Sequence, residues 1–420
     1  MLPEGWKRYR LDEIGSVITG NTPPTNDAGN YGGAIPFITP GDIGRGKYLY
    51  TAERTLSENG VKHARLLPVG SVVVTCIGSS IGKIGLTTQP SASNQQINAI
   101  VTCENHDPEY LYYQLEFYSE ALQRLAGTQA VPIVNKTTFE GVTLRFPHFK
   151  DEEAEIADVL KTWDAAIAVT EKLLVNSRDY WLALTGELLM PVPISTQRRA
   201  GSFPPSVQAG IPKLPPTPKG WRKVALGAHL HEITRPVSLV PDDEYTLVTV
   251  RRSRGGVDKR SVLLGSEIRT PTQFFVAAGD FLISKRQIVH GACGIVPAEL
   301  DGAVVSNEYA VLGGDGEIDP HFLRYLSETT YFQQTCFHSS IGVHVEKMLF
   351  RTEQWLKRPF NIPPLDEQRR IVEILNTARQ QMALAEQQLA LFRAEKRALM
   401  QQLLTGKRRV RLPEHQMVEA

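Results

Sequence analysis

The sequence predicts an α+β protein with an internal pseudo-two-fold repeat: two mixed α/β domains, each running into a long helix, with the two helices pairing as a coiled coil. Three observations predict it. GWKRYRL, from Gly5, returns as GWRKVAL from Gly220, an offset of 215 residues. The same offset relates two apolar seams further along, from Ile156 and Ile371 to Leu188 and Leu403. Between these anchors the match loosens, as in DPEYLYY (107–113) against DPHFLRY (319–325) and SNQQINAIV (93–101) against SNEYAVL (306–312). Self-similarity at one fixed offset makes the chain two copies of one plan.

In chain order, residues 1–147 form the first globular domain. SVVVTCIG (71–78) reads as a glycine-bounded strand, and residues 107–127 as an amphipathic helix ended by Gly127. Residues 148–190 are the first long helix. Its seam runs through Ile156, Leu160, Trp163, Ile167, Thr170 and Leu174, then Ser177, Trp181, Leu184 and Leu188, in alternating steps of four and three. That is a heptad a/d pattern. Gly186 lies inside this helix near its end. Residues 191–217, rich in Pro and Ser, read as an extended linker. Residues 218–361 are the second globular domain, with FLIS (281–284) as a strand. Residues 362–410 are the second long helix and its basic end, with 411–420 a tail. Its seam passes through Ile371, Leu375, Ala378, Met382 and Ala385, then Leu389, Phe392, Lys396, Leu399 and Leu403. Asp366 suits an N-cap and Gly406 a C-cap, with Lys407 to Arg409 beside it. Some 40 helical residues make a rod of about 60 Å. Trp181 and Lys396 share one seam position and interrupt its aliphatic character, which marks either a rod surface where a partner docks or, the favoured reading, a loosened end.

Composition narrows the function classes. Hydrophobic residues at 42% and charged residues at 22% suit a globular protein with sizeable cores. The formal charge of +1 neither requires nor excludes a nucleic-acid partner, because a local patch decides. No leader-like or membrane-spanning run is visible, and a cytoplasmic setting is expected. Four scattered cysteines, with no CxxC pair, point away from zinc and disulfides. GSSIGKIG (78–85) is one residue short of a phosphate loop, and Ile84 stands where a magnesium-binding hydroxyl is needed. His229 and His231 have no evident partners. No catalytic or metal-binding constellation emerges.

What remains are basic, glycine-bearing segments at comparable points of the two copies. The first copy offers Arg45 and Lys47 in TPGDIGRGKYLY, and Ser79 and Lys83 in CIGSSIGK. The second offers Arg251, Arg252 and Arg254 in VTVRRSRGGVDKR, and Lys285, Arg286, Gln287 and His290 in ISKRQIVHG. Arg and Lys suit guanine, and Gln suits adenine. Glycines let backbone approach a ligand closely. These residues are therefore candidates for DNA contact, some reading bases and others holding phosphates. A coiled-coil scaffold joining two protein-binding modules is the competing reading.

The paired GW motifs, IPPLDEQRRIVEIL (362–375) and LMQQLLTGKRRVRLP (399–413) resemble the specificity subunits of type I restriction–modification systems over essentially the whole chain. The resemblance implies two target-recognition domains, each reading half of a split double-stranded DNA site. It implies that the helices pair antiparallel, a choice the linker leaves open, with the domains at opposite ends and the helix length setting the gap. It implies a subunit without catalytic activity and without a cofactor of its own. Two methyltransferase subunits using S-adenosylmethionine, and restriction subunits using ATP and magnesium, are the implied partners. The first copy departs from the pattern, with PHFKDEEAEIADVL (147–160) where a PPLDEQ segment is expected.

Overall fold

The computed structural model describes residues 2–127, 131–190 and 210–411. Most of the predicted linker and tail therefore lies outside the described residues. The chain divides into two compact units: Met1–Glu171 with Gln387–Ala420, and Lys172–Glu386. The boundary cuts both long helices, so each unit owns half of each.

The first unit is closed at its base by Trp6–Arg10 paired antiparallel with Thr143–Pro147. Its main sheet has the order Gly15–Thr19, Ile97–Thr102, Val72–Thr75, Ile84–Thr87, Tyr48–Leu49. The run Val72–Val74 is wholly buried, as a central strand demands. A smaller sheet joins Arg54–Leu56, Tyr31–Ile38 and Ala92–Ser93. The segment predicted as one helix over 107–127 is two, Pro108–Phe117 and Ser119–Leu125. Tyr118, at φ −95° and ψ 8°, leaves helical geometry and breaks it. Asp107 caps the first piece by accepting from Tyr110 N at 2.9 Å.

The second unit repeats the frame. Arg222–Ala225 pairs antiparallel with Pro359–Ile362. Its four-stranded sheet, in the order Leu230–Glu232, Tyr309–Gly314, Phe281–Ser284, Cys293–Ile295, follows the order of the first four strands above. What differs is the remainder: a five-stranded sheet with the long hairpin Glu244–Val250 and Val257–Leu264.

The helices span Lys150–Leu189 and Leu365–Leu403. Every seam residue named above is buried or half-buried. Direction is fixed inside each unit. In the first, Asp164 meets Lys396 and Glu171 meets Arg393, while Trp163 packs edge-on against Phe392 at 5.7 Å. In the second, Arg178 pairs with Glu386, and the Arg379 guanidinium lies over the Trp181 ring. Partner numbers fall as residue numbers rise, so the helices pair antiparallel. Helix ends need two adjustments. The second helix starts at Leu365, which puts Asp366 in its first turn rather than at the cap. Gly406 closes the other end with φ +70° and a bond from its N to Leu403 O.

Trp181 and Lys396 do not loosen an end. Lys396 reaches Glu116 Oε2 at 2.9 Å and Asp164 Oδ1 at 2.7 Å. Burial works against its charge, but the two carboxylates outweigh burial and raise its pKa. Trp181 packs on Tyr325, with ring centroids 5.8 Å apart. Each ties helix to domain.

The repeated opening motif has a structural role. Trp6 is buried in the core that also holds Met400, Leu403 and Leu404 from the end of the second helix. A Cβ on Gly406 would lie 3.1 Å from the Trp6 ring and 2.5 Å from Pro3 Cγ, so glycine is required there. Trp221 packs against the core holding Leu189 from the end of the first helix, and donates from Nε1 to Glu367 Oε1 at 3.0 Å. Each copy opens by docking on the helix end contributed by the other copy.

Candidate nucleic-acid interface

In the second unit the two basic segments form adjoining turns. Arg251 N bonds Gly256 O, Ser253 N bonds His290 O at 2.7 Å, and Arg254 N bonds Gly291 O at 2.8 Å. Ser253 and Arg254 are the non-glycine residues at positive φ among those described, 55° and 59°. Left-handed backbone on such residues costs of order 1 kcal/mol each, and such strain clusters at functional positions. Burial pulls the Arg254 guanidinium below the ordinary arginine pKa.

Carboxylates attend most of the cations. Arg251 pairs with Asp258, Arg252 with Glu346, Lys285 with Glu232, and Arg286 with Glu308. The structure thus brings Arg251, Arg252, Arg254, Gln287 and His290 together on two locked turns, with Lys285 and Arg286 at their flank. A third segment joins them: Glu346 also approaches His290, and Phe350 N bonds Lys285 O. It exposes Ile341 and Val343, the latter 96% exposed. Sequence reasoning missed Glu346, Ile341 and Val343, since nothing local marks the loop; apolar groups of this kind suit the thymine methyl.

The first unit places the corresponding turns together too. Gly44, at φ +98°, lies against the Lys83 side chain; a Cβ there would sit 3.4 Å from Lys83 Cδ. Arg45, Ser79 and Lys83 are exposed. Arg45 and Lys83 form no ion pair among the described residues. The segment Val131–Val134 packs on the Cys76–Gly78 turn through Gly78 N to Pro132 O and Val134 N to Cys76 O. Val131 and Ile133 stand exposed on it. Gln96 lies under the same turn, beside Gly78.

Lys47 requires correction. Its side chain is 8% exposed and pairs with Glu109. Its ammonium lies 3.9 Å from the Tyr113 ring centroid and 4.9 Å from that of Tyr112. Burial lowers its pKa, which Glu109 partly offsets. Sequence cannot show that one lysine of a basic loop turns inward to an aromatic cage. His229 also differs from expectation, pairing with Asp315 Oδ2 at 2.9 Å.

All four cysteines are free, and burial pushes Cys76 up to about 12 and Cys293 up to about 11. Among the described residues no group of three potential metal ligands assembles, and no helix is long and apolar enough to cross a membrane.

Two turns and an apolar-tipped segment thus recur on the same strand frame in both units. The family model for the type I restriction modification DNA specificity domain matches residues 3–176. That segment is therefore similar to type I DNA specificity domains. Over 177 residues the chain is 31% identical to the MjaIX specificity subunit of Methanocaldococcus jannaschii, covering 41% of this chain and 40% of that protein. Over 196 residues it is 30% identical to the HindI specificity subunit of Haemophilus influenzae, covering 45% and 41%. These matches span about two fifths of each relative's length. The MjaVIII specificity subunit of M. jannaschii is 20% identical along 98% of this chain and 94% of its own. A type I system S subunit from M. genitalium shares the fold at TM-score 0.56 and 12% identity, over 95% of this chain and 96% of that one. A chain from a study of type I system assembly and conformational transition aligns at TM-score 0.56 and 17% identity, over 97% and 100%. The fold shared with those two chains therefore runs through both units.

Proposed function

We propose that this chain is the non-catalytic DNA-reading subunit of a type I restriction–modification complex. Each unit reads one half of a bipartite, asymmetric site. The match of residues 3–176 to the DNA specificity domain carries this reading. The differing turns, with Arg45 and Lys83 in no ion pair among the described residues of one unit and Arg251, Arg252 and Arg286 paired in the other, support two different half-sites. The helix pair sets the number of unread bases between them. Methyltransferase subunits with S-adenosylmethionine, and restriction subunits with ATP and magnesium, dock on the chain; it holds none of these cofactors itself.

The test is a map of methylated adenines in the host with and without this gene. A split motif should vanish on deletion. Unchanged methylation would refute the reading and leave the coiled-coil scaffold. Inserting one heptad in both helices adds about 10 Å, near 3 base pairs. The gap should lengthen while both half-sites stay the same; altered half-sites would refute the ruler.

A further inference from the structure

The second unit's face is basic in sequence but nearly neutral in space. Arg251 holds Asp258 from its own hairpin, while Arg252, Lys285 and Arg286 hold carboxylates supplied by other segments. Glu346 differs from the other three carboxylates because it meets two cations. Its Oε2 accepts from Arg252 Nη2 at 3.1 Å, and its Oε1 lies 3.2 Å from His290 Nε2. Arg252 and His290 come from the two turns that are locked backbone to backbone, and Glu346 comes from the third segment. It therefore joins all three pieces of the candidate face. His290 is mostly buried and fixed, whereas Arg252 and Glu346 are exposed.

We infer that Glu346 is a positioning residue for DNA specificity: lying beside His290, it orients the Arg252 guanidinium toward a base edge and offsets part of its attraction for phosphates. This rests on the DNA-reading function proposed above. The physical reason is general. Lone cations attract any sequence through counterion release, with strong salt dependence. An arginine paired with a carboxylate adds less net field, yet its remaining N–H donors still suit the paired acceptors of guanine. Clamping also removes rotamers that would otherwise be lost on binding. A face built this way gives up non-specific affinity and gains discrimination.

The experiment uses the full chain with its methyltransferase partner. Wild type first selects its site from random duplexes. Wild type, Glu346→Gln, Glu346→Asp and Arg252→Ala are then compared on the selected duplex, on every single-base variant and on a scrambled duplex, across a salt series. Glu346→Gln should strengthen scrambled-duplex binding, steepen the salt dependence, and lower discrimination about tenfold at one base pair of one half-site. Arg252→Ala should lose discrimination at the same base pair without strengthening scrambled binding. Glu346→Asp should restore part of the preference. Preference in the other half-site reports that each variant is folded. Glu346→Gln with wild-type preferences, while Arg252→Ala loses one, would overturn the inference and leave the DNA reading standing. Loss of preference in both half-sites would overturn it too, because Glu346 would then support the fold rather than one arginine. Failure of wild type to select any sequence would remove the reading itself.

Discussion

The two joints between domain and long helix solve one problem with different chemistry. In the first unit, Glu153 near the helix start is 1% exposed; its Oε1 meets His106 Nδ1 at 2.7 Å and its Oε2 accepts from Asp107 N at 2.7 Å. In the second, Gln368 stands 215 residues later and is fully buried. It accepts from Asp319 N at 2.8 Å and donates to the carbonyls of Glu317 and Pro363, both at 2.9 Å. Both side chains bind the backbone that leads into the DP-capped helix. The neutral amide completes its bonds with backbone alone. The carboxylate needs a histidine and carries a burial cost: burial raises the Glu153 pKa against the opposing bonds from His106 and Asp107. The position is constrained to bond that backbone, not to a charge state.

The joints also differ in the burial of their opening tryptophans, Trp6 being buried and Trp221 half-buried. Trp6→Ala should destabilise the first unit by about 3–5 kcal/mol, the cost of emptying a large buried site. Half-buried Trp221→Ala should cost clearly less, and separate denaturant transitions of the two variants would show the gap. Next, Gln368→Ala should cost about 2–3 kcal/mol, because it leaves a buried N–H and two carbonyls unsatisfied. Glu153→Gln should cost under about 1 kcal/mol, since an amide still serves the Asp107 N–H. Equal losses in urea titrations would break the comparison. Lys396→Met should cost about 1 kcal/mol, because Glu116 and Asp164 lose their ammonium but stay partly hydrated and Asp164 keeps the Tyr113 hydroxyl. The smallest effect is in pH. A carboxyl whose folded pKa is raised favours the fold below its unfolded pKa and loses that contribution as pH rises through the folded value. Wild type should therefore gain stability relative to Glu153→Gln as pH falls from neutral toward the ordinary Glu range, while Gln368 contributes no such slope. Urea midpoints of both proteins at several pH values would check the sign.

Periodic features were legible in the sequence. The seams and the GW echo repeat, the strands over Val72–Thr75 and Phe281–Ser284 are short apolar runs, and packing followed them. Helix direction was not legible, because either pairing buries the same a and d residues. The ion pair of Lys396 with Asp164 and the stacking of Arg379 over Trp181 decide it only in three dimensions. The break at Tyr118 has no Gly or Pro to announce it. At the candidate interface, sequence found the turns but not their counterions. Glu346 lies 94 residues from Arg252, and Glu109 lies far from Lys47 along the chain. Such pairings come from topology, which local charge patterning does not carry.

The division of the chain has a consequence in time. Lys172–Glu386 is one unbroken stretch, whereas the first unit joins Met1–Glu171 to Gln387–Ala420. During synthesis the usual order, in which the earlier domain folds first, is reversed. The second unit has all its own residues once Glu386 has left the ribosome. The first must hold Trp6, Glu152 and Gln114 open until Gly406, Arg409 and Leu404 arrive to meet them. The half of the protein made first is the half that finishes last.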